Sequence, residues 1–188
     1  MNLVTVIDQV RTYCPALGGR VSGAADFAAG LESTVNLALP SAFILRLEDA
    51  VTDNDQQPGL QQLVTERMGV VVEFDNTTNG DADRRTGFAG TNQTDDMRGA
   101  LWAALLTWLP PELTGRARQG FSYGGGHLLD FDRARLFWQF EFTLELTLTD
   151  ADGFPLRGDP LRDAQGTITV AVNAPAVPVI TFDVLVPP

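Results

Sequence analysis

The sequence contains no lysine, one cysteine and one histidine among its 188 residues. All 13 basic residues are therefore arginines, and 24 acidic residues bring the formal net charge to −11. A surface this acidic repels phosphate groups, which argues against a protein that grips a DNA duplex or an anionic membrane. The acidic charge does not exclude a passive contact in which DNA moves past a protein surface that repels it.

The single cysteine, the lack of long apolar runs and the composition of the N-terminus exclude further classes of protein. With Cys14 alone, an intrachain disulfide and a thiolate metal cluster are excluded, and its apolar helical surroundings predict a buried small hydrophobe. No apolar run approaches the roughly 20 residues of a membrane-spanning helix. Residues 1–14 lack the basic start of a signal peptide. We therefore expect a soluble protein of intracellular origin that makes no membrane contact.

Catalytic signatures are also missing, since the phosphate-binding loop, the dinucleotide fingerprint and the nucleophile elbow do not occur. A catalytic or metal site would depend on His127 with Asp130 and Asp132. Three glycines before the histidine favour a loop or strand entry, and Arg133 and Arg135 favour a salt-bridge ladder with the two aspartates. We predict no enzyme activity, no catalytic residue, no metal site and no cofactor.

Hydrophobic periodicity predicts the elements of the first half of the chain. The predicted order is helix, short helix, strand, strand and helix, over residues 3–14, 24–31, 41–48, 63–74 and 94–108. Thr94 is the predicted N-cap of the third helix. The polar, glycine-rich residues 75–93 before it predict a long loop, which in a compact domain is usually functional.

The strongest pattern is the alternation from Leu136 to Thr149, where every even position is apolar. It predicts a long antiparallel strand with one dry and one wet face, and residues 124–126 predict a glycine turn before it. After a turn at 152–153 the composition changes. Residues 154–188 hold six of the eleven prolines and two further apolar strands, at 167–172 and 179–186.

These elements predict an α+β fold, an antiparallel sheet with helices packed on one face, plus a C-terminal β arm or hairpin. Two regions are expected: an α+β domain over residues 1–150 and a β-rich arm over residues 151–188. Open strand edges and an apolar arm let subunits add to one another's sheets. The pattern therefore indicates an assembly protein, most simply a ring.

Five segments within residues 1–150 resemble phage tail terminator (tail-completion) proteins of long-tailed phages. They are MNLVTVIDQVR, LGGRVSGAADFAAGLE, LVTERMGVVVEFDN, DDMRGALWAALLTWLP and YGGGHLLDFDRARLFWQFEFTLELTLTD. The resemblance implies a homo-hexameric ring that caps the tail tube, stops its elongation and provides a docking surface for the head, connector or neck protein. It also implies a location in the virion tail or neck, and in the host cytoplasm during assembly.

The net charge and the predicted elements are consistent with a ring of tail terminator subunits. A ring of six copies would carry a formal charge of −66, six times −11, so DNA would pass through the lumen without specific binding. We expect the loop over 75–93 to face the tube or the lumen, with Arg84 and Arg85 meeting acidic groups of the tube protein; the alternative is a solvated, mobile loop. Glu141 and Glu145, on the wet face of the long strand, are the other candidates for a partner interface; a solvated face is the alternative.

Three other readings stay open. The first is another ring-forming tail or neck component, such as a tail tube or minor tail protein, which would polymerise into long tubes by itself. The second is a small hydrolase or metal-dependent enzyme that uses His127, Asp130 and Asp132, and it would bind a divalent metal stoichiometrically. The third is a monomeric ligand-binding module, for which the sequence identifies no ligand.

Overall fold

Two strands of fifteen residues each, β3 (Gln61–Asp75) and β5 (Arg135–Thr149), form the centre of a five-stranded sheet in the computed structural model. They pair antiparallel along their whole length, from Gln61 opposite Thr149 to Asp75 opposite Arg135. The two long strands predicted from periodicity are therefore confirmed. The structure describes residues 1–32, 38–54, 59–77, 88–131, 135–153, 163–169 and 179–185.

The complete sheet order is β1–β2–β3–β5–β4. Strands β2 (Ser41–Val51) and β4 (Ser122–Phe131) flank the central pair in antiparallel orientation, while the short β1 (Val21–Gly23) runs parallel to β2. The sheet is thus mixed, where purely antiparallel pairing was expected. The cause lies in the connection, because helix α2 (Ala24–Glu32) separates β1 from β2 and provides the crossover that parallel neighbours require.

The main core lies between one face of the sheet and helices α1 (Leu3–Tyr13) and α3 (Phe88–Leu105). The even-numbered side chains of β3 and β5 point into it, as the alternation predicts. Buried residues of this core include Val6, Val10, Leu101, Leu105, Met68, Val70, Phe140 and Phe142. The α+β class predicted from the sequence is confirmed, and none of the described helices is long and apolar enough to cross a bilayer.

Helix α2 contacts the opposite face of the sheet, so the helices do not all lie on one side. Its Phe27 packs on Phe43 of β2 with ring centroids 5.3 Å apart. Phe43 forms a second, smaller apolar cluster with Val71 and Phe137. On β5 the odd-numbered positions had been expected to be wet, but Phe137 is buried together with Phe43 and Val71, because Phe27 of α2 packs against these three.

Helix α3 begins earlier than predicted. Thr94 does not cap it but lies inside it, buried, six residues after the first helical residue, Phe88. The predicted loop over residues 75–93 is wrong at both ends, since Asp75 ends β3 and residues 88–93 are helical. The first turns of α3 have no apolar stripe, which is why periodicity placed the start too late.

The three glycines before His127 form no turn. Residues Ser122–Phe131 make one continuous strand, β4, with a register shift between Tyr123 and Gly125 where it pairs with β5. Such a bulge places one extra residue in the outer strand. Gly125 has a φ of +130°, a conformation that residues with a Cβ rarely adopt, so the glycine run serves the bulge.

The tertiary contacts fall into two groups, Met1–Asp152 and Gly153–Pro188. In the second group β6 (Asp163–Thr169) and β7 (Val179–Leu185) form an antiparallel hairpin, with Asp163 opposite Leu185 and Thr169 opposite Val179. The second of the two predicted C-terminal strands is confirmed within one residue. The first begins four residues earlier than predicted.

Candidate functional site

The sheet face that contacts α2, called the α2 face below, is half apolar and half polar. Its apolar half is the cluster under Phe27, and its polar half is formed by odd-numbered residues further along β3 and β5. The polar side chains are Arg67, Gln139, Glu141, Thr143 and Glu145. Within the described residues α1 and α3 fill the other face, whereas on the α2 face the side chains of Arg67 and Glu145 remain 34% and 38% exposed.

Glu141 is the centre of a cluster of hydrogen-bonded side chains on this face. Its Oε2 accepts a hydrogen bond from Nη2 of Arg67 at 2.6 Å, and its Oε1 accepts one from Nε2 of Gln139 at 3.0 Å. Nδ1 of His127 lies 3.6 Å from the same Oε1. The other terminal nitrogen of Arg67 donates to Glu48 of β2 at 2.7 Å, so the cluster links all four of the long strands.

Glycines make room for this cluster. In the register of the sheet Glu141 lies between Gly69 of β3 and Gly125 of β4. A Cβ at Gly69 would stand 3.3 Å from Cδ of Gln139, closer than most such contacts. The side chain of Gln139 therefore lies across β3 in the space that a larger residue would occupy.

The hydrogen bonds of the cluster stabilise the charged forms of Glu141 and Arg67. The hydrogen bond from Arg67 lowers the pKa of Glu141 below its ordinary value; partial burial opposes this effect, and the Gln139 hydrogen bond adds to it. The same contact raises the pKa of Arg67. Glu141 is accordingly ionised at neutral pH, and only 15% of its side-chain surface is exposed. It is a paired carboxylate, in contrast to the solvated one that the sequence suggested as the alternative.

A second polar group borders the apolar half of the face. Glu73 is buried, accepts a hydrogen bond from Ser41 at 3.3 Å, and pairs with Arg135 at 3.2 Å. The guanidinium of Arg135 also lies 5.7 Å from the ring centroid of Phe137. Arg135 therefore forms a salt bridge with Glu73 of β3; Asp132, one of the two aspartates expected to pair with it, lies outside the described residues.

Glu145 occupies a different place from Glu141. It pairs with Arg118 at 4.0 Å and leaves 38% of its side-chain surface exposed. The backbone N–H of Arg118 also donates to the carbonyl of Glu145, and the N–H of Thr147 donates to the carbonyl of Arg116. Residues 116–118 therefore run along this end of β5. The two glutamates thus share a strand and a face but belong to separate clusters. Arg84 and Arg85, the other predicted interface residues, lie outside the described residues.

The structure describes two of the three residues considered for catalysis. His127 and Asp130 both lie on β4, and Asp132 lies outside the described residues. Within the part of the chain that the structure describes, no three His, Cys, Asp or Glu side chains are grouped to hold a metal ion. Cys14 is buried in the main core, and burial raises its pKa to about 11, so its thiol stays protonated near neutral pH.

Sequence reasoning missed Arg67 and Gln139 as partners of Glu141. Gln139 interrupts the apolar run over 136–140 at an odd position, which is a visible signal, whereas Arg67 follows Thr65 and Glu66 and does not stand out. It becomes interpretable only with the register of β3 against β5, since Arg67 lies opposite Thr143 and therefore diagonal to Glu141.

Comparison with known proteins gives one match. The family model described as phage tail terminator protein matches residues 1–152 of the chain. That span contains the three helices that the structure describes, the five-stranded sheet and the Glu141 cluster, and it leaves out the β6–β7 hairpin. The match confirms the resemblance seen in residues 1–150. A comparison with curated proteins finds no significant match.

Proposed function

The chain belongs to the phage tail terminator family, and we propose from this membership that it forms a ring that closes the end of the phage tail tube. The family consists of structural proteins of the phage tail. The chain therefore has a structural role in the virion tail and interacts with other tail components.

In the proposed function six copies form the ring, the ring stops elongation of the tube, and its outer surface receives the head, connector or neck protein. The observation that carries the proposal is the family match over residues 1–152. The protein is proposed to act by shape and contact alone, without catalysis or a cofactor. It would assemble in the host cytoplasm and remain in the tail or neck of the virion.

The charge of the chain supports a passage for DNA. Six copies would bring a formal charge of −66 around the lumen, and phosphates would find few counter-charges there. The described arginines on the α2 face are already paired with carboxylates, Arg67 with Glu141 and Arg135 with Glu73. Such paired guanidinium groups are poor anchors for a nucleic-acid backbone.

The outer strand β4 supports subunit association. It pairs with β5 on one side, and within the described residues no strand pairs with its other side. Leu128 and Leu129 on this strand are each 42% exposed, so the strand presents apolar side chains beside its open edge. We propose that residues 154–188, which include the β6–β7 hairpin, add to this edge in a neighbouring subunit. Two strands alone are marginally stable, so the hairpin gains from such pairing.

Arg84, Arg85, Glu141 and Glu145 are proposed to take part in partner contacts to different degrees. The two arginines would meet acidic groups of the tube protein. Glu145 is the more accessible glutamate, while Glu141 is engaged by Arg67 and Gln139 and would act by holding the face rigid.

The mass of the purified protein in solution, measured by light scattering over a concentration series, tests ring formation. A hexamer would have a mass of about 122 kDa, six times 20.3 kDa. Purified tail tubes lacking their terminator then provide the functional assay: added protein should bind one tube end and block further growth. Self-polymerisation into long tubes would contradict the proposal and favour the tail-tube reading. Failure to bind either tube end would contradict it as well.

A further inference from the structure

Arg20 differs from the other arginines that the structure describes, because it has no carboxylate within 4.0 Å among the described residues. The described arginines that do have one are Arg11, Arg46, Arg67, Arg98, Arg116, Arg118 and Arg135. The chain carries 24 acidic residues against 13 basic ones, so an arginine without a carboxylate partner is unexpected.

The guanidinium of Arg20 is nevertheless held in place. Its Nε donates to the carbonyl of Pro40 at 2.8 Å. Its Nη1 lies beside Gly18, where a Cβ would come within 2.6 Å. Gly18 also has a φ of +53°, so glycine is favoured there for two reasons. The side chain is thus oriented before any partner arrives, and its terminal nitrogens remain available to an acceptor.

Arg20 borders a cavity of about 270 Å³. The lining includes the side chains of Arg11, Ser22 and Ser41 beside the ring of Phe43. The nearby carboxylate of Glu73 is already paired with Arg135 and contacted by Ser41. Arg11 already donates to Asp8 and to the carbonyl of Val21, and Ser41 donates to Glu73. The guanidinium of Arg20 is therefore the charged donor left at this opening, and it suits a carboxylate, which accepts charge-assisted hydrogen bonds.

Exposed carboxylates without an ion pair lie at the far end of the same sheet. The backbone of Arg20 accepts a hydrogen bond from the N–H of Ala42, at the start of β2. Asp49 lies near the end of β2 and Asp53 just beyond it; both are exposed, and neither has an ion pair within the described ranges. At about 3.3 Å per residue, Asp49 is about 23 Å and Asp53 about 36 Å along the chain from Ala42. Within one subunit neither carboxylate reaches Arg20.

We propose that Arg20 of one subunit binds Asp49 or Asp53 of a neighbouring copy. The two surfaces are different and lie at opposite ends of β2, so the contact is head-to-tail, and a head-to-tail contact whose rotation closes produces a ring. Asp26, on α2 beside β1, lies at the same end as Arg20. A contact through it would pair like ends of two copies and would end at a dimer. The inference rests on the proposed ring and names an interface that joins its subunits.

A charge-exchange experiment tests the contact. The self-association constant is measured by light scattering for the full chain, for Arg20→Glu, for Asp49→Arg with Asp53→Arg, and for all three substitutions together. We expect each single-side variant to weaken association at least tenfold, and the combined variant to recover most of that loss. Arg98→Glu is the matched control, because Arg98 pairs with Asp95 three residues away on α3 and should leave association unchanged. Thermal unfolding of each variant separates lost association from lost folding.

The possible failures are distinguishable. If the unmodified protein assembles and Arg20→Glu assembles equally well, the contact is wrong while the ring stands. If Arg20→Glu weakens association but the aspartate variant does not, the carboxylate has another origin and the assignment of Asp49 and Asp53 is wrong. If the unmodified protein neither self-associates nor binds tubes, the proposed function itself fails, and the contact with it.

Discussion

Glu141 of β5 and Arg67 of β3 form a hydrogen-bonded ion pair of 2.6 Å, and Arg67 extends the pair to Glu48 of β2. One guanidinium thus connects three adjacent strands of the sheet. The register between β3 and β5 makes this contact possible, and the contact in turn favours that register. A shift of one residue would turn Arg67 toward the apolar core, where its charge would be unpaired.

The first prediction concerns the pH dependence of this pair. Since Arg67 lowers the pKa of Glu141 in the folded protein, ionised Glu141 stabilises the fold above its unfolded-state pKa of about 4.3. That contribution is lost as the pH falls through the lower pKa of the folded state. Glu141→Gln should therefore lower the Tm at pH 7, and the difference from the unmodified protein should shrink under acidic conditions. Circular dichroism melts at both pH values measure it.

Glu145→Gln is the matched control for this experiment, since its carboxylate is more exposed and lies 4.0 Å from Arg118. We expect a smaller change in Tm with less dependence on pH. A Tm difference for Glu141→Gln that stays constant from neutral to acidic pH would show that its ionisation does not stabilise the fold.

The second prediction compares two glycines. A Cβ at Gly120 would overlap the backbone of Thr107, where the chain leaves α3 and returns toward β4. Gly120→Ala should therefore destabilise the protein by about 1–3 kcal/mol or more. At Gly99, an exposed helical position, an added Cβ has no heavy atom within 4 Å. Gly99→Ala should instead stabilise it by roughly 0.5–1 kcal/mol. Chemical denaturation of both variants gives the two free energies of unfolding, and equal signs would contradict the packing described.

The third prediction uses Cys14, the single thiol of the chain. It is fully buried in the main core, and burial raises its pKa to about 11. A thiol reagent at pH 8 should therefore modify the folded protein very slowly and the denatured protein at once. The rate of modification, followed by absorbance, reports how often the α1 region opens. Rapid modification of the folded protein would contradict the burial of Cys14.

The sequence predicted the parts of the fold that depend on one element at a time. The alternation from Leu136 to Thr149 identified β5 and its buried face, and the apolar spacing through Val6 and Val10 identified α1. Contacts between distant elements were beyond it. The alternation over 41–48 predicted a drier face that includes Phe43, but it did not identify what covers that residue, which is Phe27 of α2, sixteen residues earlier in the chain.

The candidate site was predictable only in part, for the same reason. Glu141 stood out from the sequence, but its partners Arg67 and Gln139 become neighbours only through pairing across β3 and β5. The glycines before His127 indicated a turn by their composition, whereas the register with β5 makes them a bulge. Arg20 carried no signal at all, because its lack of a carboxylate partner is a property of the folded structure.

The fourth prediction concerns Arg84 and Arg85, which we propose to contact the tube protein. Replacing both with Glu should reduce binding of the protein to tube ends and yield tails of irregular length, because like charges would then oppose each other across the interface. Arg98→Glu serves as the control for the added negative charge. Electron micrographs of assembled tails provide the length distribution. Normal tail length with the double variant would contradict this role.

The fifth prediction concerns the C-terminal arm. The family match ends at residue 152, and the contacts of residues 1–152 form a group of their own, so deletion of residues 154–188 should leave a folded protein with a cooperative thermal transition. We expect the deletion to weaken ring formation, because the hairpin would no longer add to the open edge of β4 in a neighbour. Leu128→Asp with Leu129→Asp, on that edge, should weaken it in the same way while the arm stays intact. Light scattering on both variants gives the mass, and a deletion variant that still forms a stable ring of unchanged stoichiometry would exclude the arm as a subunit contact.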